Sequence, residues 1–417
     1  MLPIKKILKD PALIEKQLRT KDPSVSLQTL LESYNCYTEN LSKLEKLKER
    51  LNLLSKEIGS KKQHGKDATS EMDQVANIKI DLKDLEEKAN EQKELYEASI
   101  ATLPNLPAPN IKVSLDPAEN ECIKIVGEKR VFDFPIKNHL EIGEQNKLFD
   151  LAAGAKISGS GFPVYTGLGA EIEWALLNLM IDTHKKNGFE MRLLPHMVHP
   201  EVMYASGQLP KFASQLFRVK DKDFDHYLIP TAEVALNGLY MDEIMDEKEL
   251  PKKLVAYTPC FRREAGAHGK NERGLIRIHQ FNKIELFAFT KQEESEEVFQ
   301  QILSSAEEVL MQLGLHYRNM LLVTGDMSFA ASKTIDIEVF LPGQDRYYEV
   351  SSVSNCTDFQ ARRSKIRYKD KETGENTFVH TINGSGLATP RLMVALLENY
   401  QNCDGSFNIP PALKKYL

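Results

Sequence analysis

Between Leu27 and Leu95 the apolar residues recur at threes and fours. Leu41, Leu44, Leu47, Leu51, Leu54 and Ile58 form one series. After Gly59-Ser60-Lys61-Lys62-Gln63-His64-Gly65, a second follows: Met72, Val75, Ile78, Leu82, Leu85, Ala89 and Leu95. This is the period of a helix with a single apolar seam. The rest of each helix surface is charged or polar, so neither has a core of its own. The two are expected to fold back on each other as an antiparallel coiled coil across the glycine-bounded turn. At ~1.5 Å per residue, helices of ~35 residues make an arm of roughly 50 Å. Asp10-Pro11 and Asp22-Pro23 punctuate the segment before it. Leu103-Pro104-Asn105-Leu106-Pro107-Ala108-Pro109 ends it, because a helix cannot run through such closely spaced prolines. We place the domain boundary there, with an arm over 1–108 and a second domain over 109–417.

The pattern then becomes mixed. Glu171 to Lys185 predicts a helix with Trp174, Leu177 and Ile181 on one side, and Gly188 to Val198 predicts a strand ending at a proline. Residues 291 to 313 predict a surface helix. In Thr334 to Val353, Ile335, Ile337 and Val339 alternate with Asp336 and Glu338, Pro342-Gly343 makes a turn, and a second strand returns. Leu392 to Tyr400 predicts a further helix. Two β-prone runs in Val255 to Phe289 flank a loop, Ala265 to Gly274, that carries three glycines, His268, Lys270 and Arg273. These predict an antiparallel hairpin. Alternation places Arg262 and Glu264 on one face, joined by Arg277, His279, Phe281, Lys283 and Glu285, with Ile276, Ile278, Ile284 and Leu286 opposite. The fold class expected is α+β: a helical coiled-coil hairpin followed by a mainly antiparallel sheet flanked by helices.

That hairpin face suits nucleotide chemistry. A guanidinium forks onto a phosphate or carboxylate, a ring covers a purine, and a carboxylate holds an amine. A salt-bridged solvent face is the plainer alternative. At 417 residues and 41% hydrophobic content the chain can hold two domains. No apolar run reaches membrane-span length, and Met1-Leu2-Pro3-Ile4-Lys5-Lys6 lacks a signal core. Five scattered cysteines (Cys36, Cys122, Cys260, Cys356, Cys403) include no Cys-x-x-Cys. We therefore expect no zinc, no disulfide framework and a cytoplasmic location. The net charge of −6 argues against binding nucleic acid by bulk charge. It is unevenly spread: residues 1–66 hold 14 Lys or Arg against 8 Asp or Glu, and residues 67–100 hold 4 against 10. Pairing between the helices accounts for part of this split. A phosphate-binding tip at Lys56, Lys61, Lys62 and Lys66 is the functional alternative.

Phe261-Arg262-Arg263-Glu264-Ala265-Gly266, Arg273-Gly274-Leu275 and Arg277-Ile278-His279-Gln280-Phe281 resemble motif 2 of class II aminoacyl-tRNA synthetases, and of the bacterial seryl-tRNA synthetases in particular. Gly188 to Val198 resembles motif 1, which builds the dimer interface in that class. Leu54-Ser55-Lys56-Glu57-Ile58-Gly59, Ala205 to Phe212 and Thr231-Ala232-Glu233 also resemble the family's text. So does Arg346 to Asn355, its second ATP segment. Thr381 to Arg391 resembles motif 3, departing at Thr389-Pro390. Thr389 is expected to cap the helix, and proline suits its first turn.

The resemblance implies that L-serine and ATP give seryl-adenylate, and that serine then passes to the 3′ end of tRNA(Ser). Whether tRNA(Sec) is also charged stays open. A related ligase that loads an amino acid onto a carrier protein is the alternative. So is a catalytically dead adaptor, which the retained charged residues oppose. The resemblance implies catalytic Arg262 and Arg391, and ATP contacts from Arg262, Arg263, Glu264, Arg277, Ile278, Phe281, Glu349, Val350, Ser351, Ser352 and Arg391. It implies serine contacts from Thr231, Ala232, Glu233, Arg262, Glu285, Asn383 and Ser385, magnesium at Glu349 and Ser352, tRNA contacts on the arm, and a homodimer. Residues three apart do not share a face of a regular strand, so for Glu349 and Ser352 to act together a bulge or a strand end is needed.

Overall fold

The computed structural model describes residues 1–264 and 274–417. The chain divides into two compact units: Leu2–Arg19 with Pro23–Leu103, and Pro104–Leu417 with Met1 and Thr20–Asp22.

The first unit is helical: α1 (Ile4–Lys9), α2 (Pro11–Arg19), α3 (Gln28–Gln63) and α4 (Thr69–Ala101). α3 and α4 pack along the expected seam. Leu44, Leu82 and Ala89 are buried there, with Tyr37, Leu47, Leu51, Ile78 and Leu85 against them. Tyr96 adds an aromatic contact to Tyr34 at 5.2 Å between ring centroids. Lys48–Glu86 at 3.0 Å and Lys61–Glu71 at 2.6 Å pair charges between the helices. The break expected at Gly59 does not occur, since α3 continues to Gln63. A single glycine costs a helix about 1 kcal/mol, less than a seam of this length supplies.

The second unit is built on an eight-stranded sheet. Its strands are β1 (Glu121–Val126), β2 (Glu190–Arg192), β3 (Lys252–Phe261), β4 (Gln280–Thr290), β5 (Tyr317–Leu321), β6 (Lys333–Leu341), β7 (Arg346–Thr357) and β8 (His380–Ala388). The spatial order is β1-β5-β6-β7-β8-β4-β3-β2, antiparallel except where β2 runs parallel to β3. Helices α5 (Leu168–Lys186), α7 (Ser295–Gln312) and α9 (Thr389–Asn399) join one face of the sheet in a single core. That core includes Leu176, Met180, Phe299, Ile302, Met393, Val255, Leu286, Ile337 and Ile382. Leu254, Ala256, Phe287 and Phe289 point from the other face into a second core, shared with α6 (Ala232–Gly238) and α8 (Phe359–Ser364).

Four expectations need correction. The strand expected over 188–198 is split. Glu190–Arg192 pairs with β3, whereas Met197–Val198 pairs with Tyr227–Leu228 in a separate small sheet. Pro195, which has no N–H to donate, lies between them. The helix expected on the surface, α7, buries Val298, Phe299, Ile302, Ala306, Val309 and Leu310. In α5, Leu177 is buried but Trp174 is 56% exposed. The hairpin strands are shorter than the alternation implied, ending at Phe261 and resuming at Gln280. Arg262–Glu264 and Arg277–His279 are therefore irregular backbone. Of the loop singled out above, Ala265, Gly266, His268, Lys270 and Arg273 lie outside the described residues.

Among the described residues no helix is long and apolar enough to cross a membrane.

Candidate active site

Two adjoining chambers open over the sheet face that carries Phe281, Lys283 and Glu285. The narrower lies between the β3–β4 hairpin and the start of α9, lined by Arg262, Glu264, Arg277, Ile278, Phe281, Glu349, Val350, Pro390 and Arg391. The wider is lined by Thr231, Glu233, Glu285, Ser352, Asn383 and Ser385. Arg262, Glu264, Arg277, Lys283, Glu349 and Ser385 border both. Segment Ser206-Gly207-Gln208 and Phe212 also line the wider chamber, which matches the loop expected at its border.

Two strand irregularities turn side chains into this cleft. Between β6 and β7 the register runs Asp336↔Ser352, Ile337↔Ser351, then Glu338↔Glu349. Val350 is the extra residue, so the three-residue spacing of Glu349 and Ser352 is matched by a bulge. Between β4 and β8 the register runs Ile284↔Leu387, then Glu285↔Ser385. Here Gly386 is extra, and Ser385 comes to lie on the cleft side while Leu387 stays in the core. The glycines of Asn383-Gly384-Ser385-Gly386 are needed for close approach. A Cβ on Gly384 would sit 2.8 Å from Ile302, and one on Gly386 would sit 2.5 Å from the His184 ring. His184 also bonds the Gly386 carbonyl through Nε2 and Ser305 Oγ through Nδ1 at 2.7 Å. Burial lowers its pKa to about 4.

The narrower chamber neutralises its own charges. Arg277 Nε donates to Glu264 Oε2 at 2.6 Å. Arg391 Nη1 donates to the Glu349 carbonyl at 2.8 Å and lies 3.5 Å from its carboxylate. Arg262 lies over the Phe281 ring at 5.2 Å, and its Nε reaches the Pro230 carbonyl at 3.3 Å. Glu264 sits in the left-handed region at φ 47°. That is a costly conformation for a non-glycine residue and typical of a side chain aimed for function.

The wider chamber buries its charges. Thr231 caps α6, accepting from the Glu233 N–H at 3.2 Å. Lys283 Nζ donates to Thr231 Oγ1 at 2.8 Å and pairs with Glu285. Glu233 Oε1 accepts from Gln360 Nε2 at 2.6 Å. Burial, and then the Glu285 carboxylate, push the Glu233 pKa up to about 7.

Ala232, Arg263 and Ser351 do not line either chamber. Ala232 is fully buried in α6, and Arg263 is held by its backbone N–H to the Gln215 carbonyl. Ser351 Oγ donates to the Ser385 carbonyl at 2.6 Å, so it supports a lining residue. Thr389 does not cap α9. Its hydroxyl bonds Glu173 and the Asn282 carbonyl, and Ala388 takes the cap position. Lys283 and Gln360 carried no role in the sequence reading. For Lys283 the signal was a lysine two residues from a glutamate on an otherwise apolar strand. Gln360 is 127 residues from its partner Glu233 and had no local signal.

Glu349 and Ser352 offer two hard oxygen donors. Across the ladder, Asp336 holds an Oδ1 with no hydrogen-bond partner, and burial followed by the neighbouring Glu349 raises its pKa well above the carboxylate range. Among the described residues no group of three or more His, Cys, Asp or Glu could hold a metal unaided. The carboxylate and hydroxyl oxygens of Glu349 and Ser352 are of the hard type that suits an ion such as magnesium, which takes its other ligands from phosphate and water.

An antiparallel sheet thus brings an arginine- and carboxylate-bearing hairpin, a bulge with two oxygen donors and a helix-borne arginine over one cleft. The family model for the tRNA synthetase class II core domain (G, H, P, S and T) matches residues 217–400, and that for the seryl-tRNA synthetase N-terminal domain matches residues 1–107. A serine--tRNA ligase of Chlamydia pneumoniae is 49% identical over 417 residues, covering 100% of this chain and 97% of that protein. The crystal structure of seryl-tRNA synthetase from Pyrococcus horikoshii complexed with ATP superposes with a TM-score of 0.93 at 33% identity, covering 100% of this chain and 98% of that one. The cytoplasmic serine-tRNA ligase of Naegleria fowleri in complex with AMP gives 0.86 at 27% identity, covering 98% and 94%. The chain belongs to the seryl-tRNA synthetase family.

Proposed function

We propose that the chain is a serine–tRNA ligase whose two chambers divide the work, ATP in the narrower and serine in the wider. The observation that carries this division is the position of Arg262, which borders both chambers and can bridge a carboxylate and a phosphate. In the first step a serine carboxylate oxygen attacks the α-phosphorus of ATP, forming the acyl–phosphate bond as pyrophosphate leaves. No protein nucleophile is needed, so catalysis rests on positioning and charge neutralisation. In the second step the 3′ ribose hydroxyl of tRNA attacks the acyl carbon and AMP leaves.

Arg262 neutralises charge at the α-phosphate. Glu264 accepts from the adenine amine, Phe281 covers one adenine face, and Ile278 borders the base. Arg391, with Arg277 beside it, takes the terminal phosphates. Arg277 and Arg391 each have a carboxylate partner, Glu264 and Glu349, so nucleotide phosphates replace partners already present. Glu349 and Ser352 are the residues that would hold magnesium, which supplies positive charge to the leaving phosphates. Thr231, Glu233, Glu285, Asn383 and Ser385 hold the serine ammonium and hydroxyl. A small polar pocket rejects alanine because its buried groups would be left unpaired.

For the arm we propose tRNA contact at the turn, where Lys56, Lys62 and Lys66 are exposed and Lys61 is shared with Glu71. For assembly we propose a homodimer. Exposed Leu168, Trp174, Leu193 and Met197 on and after α5 support it. Free, exposed Cys36, Cys122 and Cys403 suit a reducing cytoplasm.

Pyrophosphate exchange with each amino acid in turn tests the core of this reading. Exchange is expected with serine and not with alanine, and an enzyme indifferent to serine would overturn it. Deletion of residues 30–100 is expected to leave exchange within about threefold and to cut tRNA charging by roughly a hundredfold or more, since distant phosphate contacts dominate nucleic-acid affinity. Equal charging by the truncated enzyme would remove the arm from tRNA recognition. The same charging assay separates this reading from a ligase that loads a carrier protein.

A further inference from the structure

A lysine in the middle of a buried strand is costly unless it is paired, and paired well. Lys283 has a side chain 6% exposed, on a strand whose later residues are Ile284, Leu286, Phe287, Ala288 and Phe289. Its ammonium reaches Thr231 Oγ1 at 2.8 Å and the Glu285 carboxylate, itself 3% exposed. Thr231 and Glu285 are two of the groups assigned to a substrate's ammonium and hydroxyl. Lys283 also borders both chambers. A pair serving stability alone would have no reason to lie in the wall of a substrate cleft.

We propose that Lys283 is the positioning residue of the amino-acid chamber: it fixes Thr231 and Glu285 in place and is the buried cation that offsets the negative charge of the chamber's carboxylates. The inference rests on the serine chamber assigned above. Without that cation the Glu285 carboxylate would hold Glu233 protonated to a higher pH, and a protonated Glu233 binds an incoming ammonium poorly. The ionisable groups facing the pair are Glu233 from α6, Arg262 beyond the end of β3, Cys260 on β3 and, toward Glu233, Cys356 on β7. Burial raises the pKa of both thiols, which therefore stay neutral. Arg262 is turned to the carboxylate–phosphate junction, so Lys283 is the cation that serves Glu285. Glu233 keeps its pKa of about 7 even with that cation present, held up by burial and by Glu285.

The test is pyrophosphate exchange by the full chain from pH 5.5 to 9, comparing wild type with Lys283→Met and Lys283→Arg. Removing a cation raises the pKa of neighbouring carboxylates, so the ionised pair forms only at higher pH. Lys283→Met is expected to raise the serine KM about thirtyfold at neutral pH and to move the acid limb of kcat/KM for serine upward by about one unit. The ATP KM should change by no more than about threefold, because phosphate contacts lie on Arg262, Arg277 and Arg391. Lys283→Arg should return the limb to its wild-type position while recovering only part of the KM. An unmoved acid limb in Lys283→Met, or serine and ATP KM rising together, would overturn the inference. If circular dichroism shows that Lys283→Met does not fold, Lys283→Gln carries the same expectations. Loss of serine dependence in wild type itself would overturn the chamber assignment along with the inference. Serine-dependent wild type with an unmoved limb would overturn the inference alone.

Discussion

The two chambers hold the same kinds of charge in opposite ways. Toward Arg391, the end proposed for the nucleotide, the pairs are solvated: Arg277 and Glu264 are 36% and 18% exposed, Arg391 and Glu349 31% and 46%. Toward Thr231, the end proposed for the amino acid, Lys283 and Glu285 are 6% and 3% exposed. Solvated pairs are worth little, so a triphosphate can exchange them at small cost. Buried pairs carry a large desolvation term, so breaking one partner leaves the other stranded. The contrast fits the two ligands. A nucleotide brings several charges and needs adaptable partners. A small hydroxy-amino acid has few handles and needs fixed ones.

Arg262, shared by both chambers, should be the most damaging single loss. Arg262→Ala is expected to reduce serine-dependent exchange about a thousandfold or more with the fold intact by circular dichroism, because its charge acts where charge develops. Exchange retained within tenfold would detach Arg262 from the chemistry.

Glu233 sharpens the contrast through pH. Its folded pKa of about 7 stands above the ordinary 4.5. Its contribution to stability is thus fully present below about 4.5 and is lost as pH rises through about 7. Glu233→Gln removes that loss, and should stabilise the unliganded protein by about 1–3 kcal/mol at pH 8 with little change near pH 4. It should also weaken serine binding by roughly an order of magnitude. Urea midpoints at the two pH values read the first effect and the serine KM the second. A destabilised variant at pH 8 would contradict the buried-charge account.

At the solvated end the effect should be smaller. Glu349→Gln is expected to raise the magnesium concentration for half-maximal exchange by roughly tenfold, since one of two protein donors is weakened while phosphate oxygens remain. An unchanged magnesium titration would remove Glu349 from the ion.

How much of this was legible in sequence follows from the range of each interaction. The arm seam was visible because one helix face repeats every turn, and Leu44, Leu82 and Ala89 pack as expected. At Glu349 and Ser352 the resemblance asked for a bulge or a strand end, and only the register of the ladder shows that it is a bulge at Val350. The bulge at Gly386 was not, since nothing in Asn383-Gly384-Ser385-Gly386 by itself says which side chain must turn. Alternation failed over Arg262–Glu264 and Arg277–His279, where strand geometry stops but family wording continues. Thr389 read as a cap because its neighbours are local, whereas its partner Glu173 lies 216 residues away. The same distance problem hid Gln360. The self-pairing of the cleft cations was also illegible, because it depends on which strands become neighbours.

The most direct test is a crystal of the protein soaked with a non-hydrolysable seryl-adenylate analogue. We predict the adenine against Phe281, the sulfamoyl or phosphate group at Arg262, and the seryl end between Thr231 and Glu285 beside Lys283. An analogue bound elsewhere, or with its seryl end in the narrower chamber against Pro390 and Arg391, would contradict the division of the cleft.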